Sequence, residues 1–342
     1  MESITGNPAT GYAFQDKTLV SDSYEAELNL YSGYAQYDWL YRGKYQAIVG
    51  VRYEDYEQTT DTFSLAGAQE PVQSVLDEGT WLPSLSLNWY ATETQQVRAA
   101  VSRTVARPDF KEKANATFYD PEFDFRVRGN PLLDQSEITN YDLRWENYWN
   151  GSEGVSVALF YKDIKDPIER VVLTASGTAS NSRTYQNADK GKIYGVEVDG
   201  RVDFPLNEAY SRSFFVAGNA SYIDSEVTLL SGETRKLQGQ PDYTVNLILG
   251  YDDLPANQQV TLLLNQSGDT IVDGGVSGLP DVVKEPTLTM DLNYEYQLTP
   301  RLAFDAELSN LLNSEIEYTQ GGQVYQRYRR GVEIEIGIDW KF

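Results

Sequence analysis

Residues 332–342 read VEIEIGIDWKF. Val332, Ile334, Ile336, Ile338, Trp340 and Phe342 take every second position, and Glu333, Glu335, Gly337, Asp339 and Lys341 stand between them. Successive side chains of a strand point to opposite faces. The stretch therefore predicts a strand with one face greasy enough for lipid and the other charged. A soluble sandwich rarely ends on such a strand, whereas a transmembrane β-barrel does so routinely.

The same period recurs upstream. Tyr45, Ala47, Val49, Val51 and Tyr53 alternate with Gln46, Gly50, Arg52 and Glu54. Tyr141, Leu143 and Trp145 alternate with Asp142, Arg144 and Glu146, and Tyr194, Val196 and Val198 with Glu197, Asp199 and Arg201. Leu288, Met290, Leu292 and Tyr294 alternate with Thr289, Asp291 and Asn293. Counting such segments predicts an all-β chain of about thirteen strands, laid out as an antiparallel transmembrane β-barrel. Small residues leave the phase open at 25–39 and 213–223. Short links near 40–44, 91–96, 150–154, 204–212, 253–258 and 297–301 alternate with long ones near 57–80, 106–137, 166–184, 226–240, 268–285 and 312–325. That rhythm fits tight turns at one end of a barrel and long loops at the other. Trp39, Trp89, Trp149, Trp340 and Phe342 fall on the turn side, where an interfacial girdle of amphipathic rings belongs.

Composition narrows the function. The chain has 342 residues, no Cys and no His, 25 Tyr and a formal charge of -23. No run approaches the length of a helical span. The acidity argues against nucleic acid. Without Cys or His, no thiolate nucleophile, disulfide, Ser-His-Asp or HExxH chemistry is available; a carboxylate-pair hydrolase remains open. Asp163, Asp166 and Glu169 lack the spacing of a calcium loop, so no metal site is expected, and no cofactor either. GDTIVDGGVSG at 268–278 follows no phosphate-binding pattern and reads as a flexible outer loop.

Several pieces occur in a telling order: GVRYEDYE (50–57), SRTVARPDF (102–110), RGNPLLDQSEITNYDLRWENYW (128–149), ALFYKDIKDPIERV (158–171), NADKGKIYGVEVDGR (187–201), SYIDSEV (221–227), LSNLLNSEIEY (308–318) and IGIDWKF (336–342). Together they resemble the C-terminal part of the barrel of TonB-dependent outer-membrane receptors. The resemblance implies a 22-stranded barrel in the bacterial outer membrane, filled by a plug domain and preceded by a TonB-contacting box. At about 26 residues per strand and link, 22 strands need about 570 residues. Residues 25–342 are thus expected to be a partial barrel, residues 1–24 a loop remnant or disordered lead-in without a signal peptide, and the plug to be missing. The implied function is uptake of a scarce ligand, an iron–siderophore complex or an oligosaccharide, by a receptor that is no enzyme. The RPDF…GNP stretch is similar to receptors associated with carbohydrate uptake. A passive porin-like channel, a soluble acidic all-β carbohydrate-binding protein or enzyme, and a gene remnant are the rivals.

Within that frame, the 106–137 loop is the candidate ligand site. Arg107, Lys111, Lys113, Arg126 and Arg128 reverse the local sign of charge, among Phe110, Phe118, Tyr119, Phe123 and Phe125. Cations with aromatics suit an anionic ferric chelate or a stacked sugar; pairing of the cations with Asp109, Asp120, Glu122 and Asp124 is the alternative. Arg52, Arg98, Arg144, Glu197, Arg201 and Asp291 are expected to face the lumen, together with Glu146, Asp199, Asp305 and Glu307. Ile338, Trp340 and Phe342 resemble the signal read by the barrel-assembly machinery. The expected partners are outer-membrane lipid, that machinery, a small ligand, and TonB where a plug is present.

Overall fold

The computed structural model describes residues 23–63, 70–121, 125–173, 182–275 and 278–341. Phe342, Phe123, Glu122 and Asp124 lie outside them, as does nearly all of the expected lead-in. Thirteen strands pair in chain order, each antiparallel to the next. They are β1 (Glu25–Tyr41), β2 (Tyr45–Phe63), β3 (Pro71–Tyr90), β4 (Gln95–Ala106), β5 (Ser136–Tyr148), β6 (Gly154–Lys165), β7 (Lys190–Pro205), β8 (Arg212–Thr228), β9 (Tyr243–Asp253), β10 (Gln258–Ser267), β11 (Thr287–Thr299), β12 (Leu302–Ser309) and β13 (Glu333–Trp340). Among the described residues no pairing joins β1 to β13.

Short links close one end of this wall. At the first, Arg42 and Gly43 both take positive φ, 53° and 63°, a mirror-image turn that matches the twist of the flanking strands. The long links gather at the other end. One expected loop is different: 57–80 is mostly strand, because β2 and β3 pair from Tyr45↔Trp89 to Phe63↔Pro71. The hairpin projects beyond its neighbours, and its alternation continues with polar residues on both faces. A search for apolar periodicity cannot see such a strand.

Register resolves the two uncertain phases. Phe214, Val216, Gly218, Ala220 and Tyr222 share a face with Tyr251, Leu249, Leu247, Val245 and Tyr243. Gly33, Ala35, Tyr37 and Trp39 lie opposite Tyr53, Val51, Val49 and Ala47. The apolar face is exposed: Ile334, Ile336, Ile338 and Trp340 keep 64–71% of their surface. On β7 this face runs from Tyr194 to Phe204, ten residue steps or about 33 Å along the strand. A tilt of about 40° makes that about 25 Å of height, the apolar band of an outer-membrane barrel. Rings mark both edges. Tyr141, Tyr161 and Tyr194 lie side by side across three strands, and Phe204, Phe214 and Tyr251 do the same at the turn end. Beyond Tyr194 the same face carries the Lys192–Glu226 ion pair (3.0 Å), and Tyr194 donates to Asp224 (2.5 Å). The greasy band therefore stops where charge begins.

Candidate functional site: the loop cap and the polar face

The long links build a cap. Thr117–Asp120, Phe125–Arg128, Ser182–Asn187 and Ile168–Leu173 form one small sheet, and Thr270–Asp273, Val282–Lys284, Glu315–Gln320 and Gln323–Arg329 another. The isolated bridge Val171↔Gly274 joins them, with Val172 N–H donating to Gly274 O and Gly274 N–H to Arg170 O, both at 3.0 Å.

The 107–135 loop is organised by its own sequence. Asp109 caps a single helical turn, Phe110–Lys113, in a capping box with Glu112. Gly129 passes so close to that turn that a Cβ would collide with the carbonyls of Lys111 and Ala114; only glycine fits. Asn130 Oδ1 receives the Leu132 N–H (3.0 Å), and its Nδ2 donates to Tyr185 O (2.9 Å). The RGNPLL stretch is thus a latch between loops. Asn187 completes it, donating to Asp134 O (3.0 Å) and Asp166 O (2.8 Å).

The expected ligand cations divide into two groups. Arg107 is turned inward: its Nη1 meets Glu54 at 2.8 Å, its Nε donates to Gln135 (3.2 Å), and its guanidinium lies 4.2 Å from the Tyr56 ring centre. Lys113 is 2% exposed and donates to Leu133 O (2.6 Å) and Pro131 O (3.1 Å); burial holds its ammonium below the usual lysine range. Arg128 reaches Asn115 Oδ1 (2.8 Å). Lys111, Arg126 and Tyr119 are exposed, with Lys111 Nζ 5.7 Å from the Phe118 ring centre. Phe110 and Phe118 are half-buried, and Phe118 meets Tyr24 edge-on at 5.8 Å.

A second polar cluster escapes sequence reasoning. Asp273, in the Gly-rich stretch read as a flexible loop, sits in an ordered strand and is 1% exposed. It accepts from Arg170 Nε, and from Arg183 Nε at 3.0 Å. Arg183 is equally buried and covers the Phe125 ring at 4.4 Å. Beside it, Glu169 pairs with Arg235 (2.6 Å). Its carboxyl is pushed above the usual range, mainly by burial and against the pull of Arg235. These residues come from separate loops, with 103 positions between Arg170 and Asp273, and no local motif connects them. Asp163 and Asp166 take no part in the cluster, and among the described residues no group of acids has the arrangement to hold a metal ion.

Arg52, Arg98, Arg144, Glu197, Arg201 and Asp291 all lie on the face of the wall opposite the apolar band. Arg52 pairs with Glu54 (2.6 Å) and donates to Ser32 (2.8 Å). Glu146 takes both Arg98 (3.2 Å) and Arg144 (2.8 Å), and Arg144 also reaches Asp199 (2.8 Å). Arg201 pairs with Asp203 (2.9 Å) and covers the Phe215 ring at 4.0 Å. Asp291 accepts the Asn310 N–H (2.7 Å). Ile338 and Trp340 lie on the apolar face of β13, beside Phe304 and Leu302.

A family-wide sequence profile described as TonB dependent receptor-like, beta-barrel, matches residues 3–311. No curated protein sequence matches. Among solved structures, the wall superposes on a ferric enterobactin receptor, PfeA, of Pseudomonas aeruginosa, with 16% identity and a TM-score of 0.56, over 93% of this chain and 54% of that one. The siderophore receptor PiuA of Acinetobacter baumannii gives 14% identity and a TM-score of 0.65, over 93% and 44%. The ferric-catecholate import receptor Fiu of E. coli K12 gives 14% and 0.65, over 93% and 45%. The chain thus spans about half the length of these receptors, and identities this low speak for the fold alone. By the profile match the chain belongs to the TonB-dependent receptor β-barrels, a family of receptors, not enzymes, with the fold of the Gram-negative outer membrane.

Proposed function

We propose that this chain is the wall of an outer-membrane receptor that takes up a scarce ligand in a TonB-dependent way, the ligand being a ferric siderophore or an oligosaccharide. The observation that carries this is the asymmetry of the wall: an apolar band bounded by rings, tight turns below it, and a knitted loop cap above it. In this reading outer-membrane lipid covers the apolar face, and Arg52, Arg98, Arg144, Glu197, Arg201 and Asp291 line the lumen. The exposed Lys111, Tyr119 and Arg126 make first contact with ligand, while Arg107, Lys113 and Arg128 hold the loop that presents them. Phe110 and Phe118 support that surface from below. A plug in the lumen would yield to TonB, and Ile338, Trp340 and Phe342 would be read by the barrel-assembly machinery. PfeA is a ferric enterobactin receptor and Fiu a ferric-catecholate import receptor, which makes an iron chelate the first ligand to try. The assay is uptake of labelled ferric enterobactin and of labelled oligosaccharides by cells with and without TonB. Uptake that persists without TonB would convert the reading to a passive channel. A protein that stays soluble without detergent and shows no heat-modifiable mobility would refute the barrel itself.

A further inference from the structure

One patch of the polar face departs from its surroundings. Asp142, Phe160, Gly195 and Ile223 lie directly beside one another across β5, β6, β7 and β8. Phe160 is an aromatic on the polar face; unlike Phe215, which lies buried under Arg201, it is half-buried at the edge of an open hollow. Gly195 makes this possible, because a Cβ there would stand 2.7 Å from the tip of the Phe160 ring. The next row toward the turns holds Arg144, Ala158, Glu197 and Ser221. Small residues at 158 and 195 hollow the wall into a cavity of about 400 Å³, edged by Ile193 and Ile223 and by Gln240 from the cap.

We infer that this hollow is a binding subsite for one residue of a neutral sugar, with Phe160 as the stacking platform and Asp142 and Glu197 as hydroxyl acceptors. The size lies in the range of small-ligand pockets. A ring face against carboxylates suits a molecule with an apolar CH face and a hydroxylated rim. The balance of charge opposes the other ligand class. Of the nearby cations, Arg144 is paired with Glu146 and Asp199 (each 2.8 Å), while Lys162 donates to the neutral amide of Asn140 (2.8 Å) and keeps its charge. Asp142 and Glu197 have no hydrogen-bond or ion-pair partner among the described residues. An anionic chelate brought here would meet two unpaired carboxylates against the single charge of Lys162.

The inference rests on the uptake reading, and its test separates the two. The full chain in detergent, its folding checked by heat-modifiable mobility, is applied to an array of neutral and anionic glycans; the best neutral trisaccharide and ferric enterobactin are then titrated. Retention of a neutral glycan, at least tenfold weaker binding in Phe160→Ala, near-normal binding in Phe160→Tyr and a several-fold loss in Glu197→Gln support the subsite. Failure of every neutral glycan to bind, unchanged affinity in Phe160→Ala, or equal loss of ferric enterobactin in that variant overturns it. TonB-dependent uptake of ferric enterobactin, unaltered by Phe160→Ala and without any glycan bound, removes the subsite and leaves the uptake reading standing.

Discussion

Asp273→Ala removes the one carboxylate that serves both Arg170 and Arg183 in the cap. Arg183 is 1% exposed, and among the described residues its Nη1 already lacks a hydrogen-bond acceptor. After the substitution the support left to it among the described residues is the Phe125 ring, 4.4 Å away. Breaking a buried pair by deleting one partner costs about 3–5 kcal/mol, because a charge is left uncompensated. The loss falls on the cap, since Asp273 makes no contact within the wall's ladders. Opening of the bridged loops should therefore become more frequent by about 10² to several times 10³, at about 1.4 kcal/mol per tenfold. Native-state hydrogen exchange in detergent reads this at the Val172 and Gly274 amides, which bond across the two small sheets. Amides in the middle of β6 and β7 serve as the internal reference. Wild-type exchange at Val172 and Gly274 would refute the reasoning, and so would acceleration of the β6 and β7 amides to the same degree.

Other substitutions test separate parts of the same picture. Gly129→Ala drives a Cβ into the carbonyls of Ala114 and Lys111; we expect about 1–3 kcal/mol of destabilisation, seen as faster proteolysis of the 107–135 loop with the wall intact. Lys113→Met strips the carbonyls of Pro131 and Leu133 of their donor, at about 1–3 kcal/mol. Burial lowers the folded-state pKa of Lys113, so above that value the unfolded chain binds the extra proton and the loop gains stability as pH rises toward about 10.4. Rates of loop proteolysis between pH 8 and 10.5 should slow in the wild type relative to Lys113→Met; parallel profiles would count against this. Ile336→Arg puts a charge on the lipid face and should cost up to about 2–4 kcal/mol. Glu335→Lys, one position earlier on the polar face and directly opposite Glu307, should be neutral or stabilising by up to about 1 kcal/mol. The yield of heat-modifiable folded protein distinguishes them, and equal effects would mean that the two faces are misassigned.

The wall was legible because its rule is local. In β5, β7 and β13 the apolar residues recur at period two, and a short count finds them. The β2–β3 extension was missed for the same reason: beyond Tyr53 its side chains meet water and loops, so both faces become polar and the period carries no signal. The cap was legible only in outline. Arg107 and Lys113 were visible as cations among acids, but burial and partners decide what a cation does. Here Glu54 stands 53 positions before Arg107, and the acceptors of Lys113 are backbone carbonyls, which no side-chain pattern reports. Asp273 looked like slack because glycines surround it; the arginines that fix it lie in other loops.

The distribution of charge across the wall adds one step to the functional argument. From β2 to β8, outside the hollow that holds Asp142 and Glu197, acids of the polar face such as Glu54, Glu146 and Asp199 are matched with arginine. From β11 to β13 they are not. Glu295 lies directly opposite Asp305, and Glu307 opposite Glu335. Like charges so placed destabilise a sheet by a few tenths to about 1 kcal/mol per pair, a cost that is tolerable only where the face meets water or counter-charge. A soluble β-sandwich would have to bury this face or the apolar one against a second sheet, and neither is covered here. One face suits lipid and the other an aqueous interior. Most arginines of that interior are tied to its wall by carboxylates. What remains without a counter-charge along β5 to β7 is two carboxylates and one lysine, Asp142, Glu197 and Lys162, beside an aromatic ring, so selection for an anion would have to occur in the cap, at Lys111 and Arg126, before the ligand reaches Phe160.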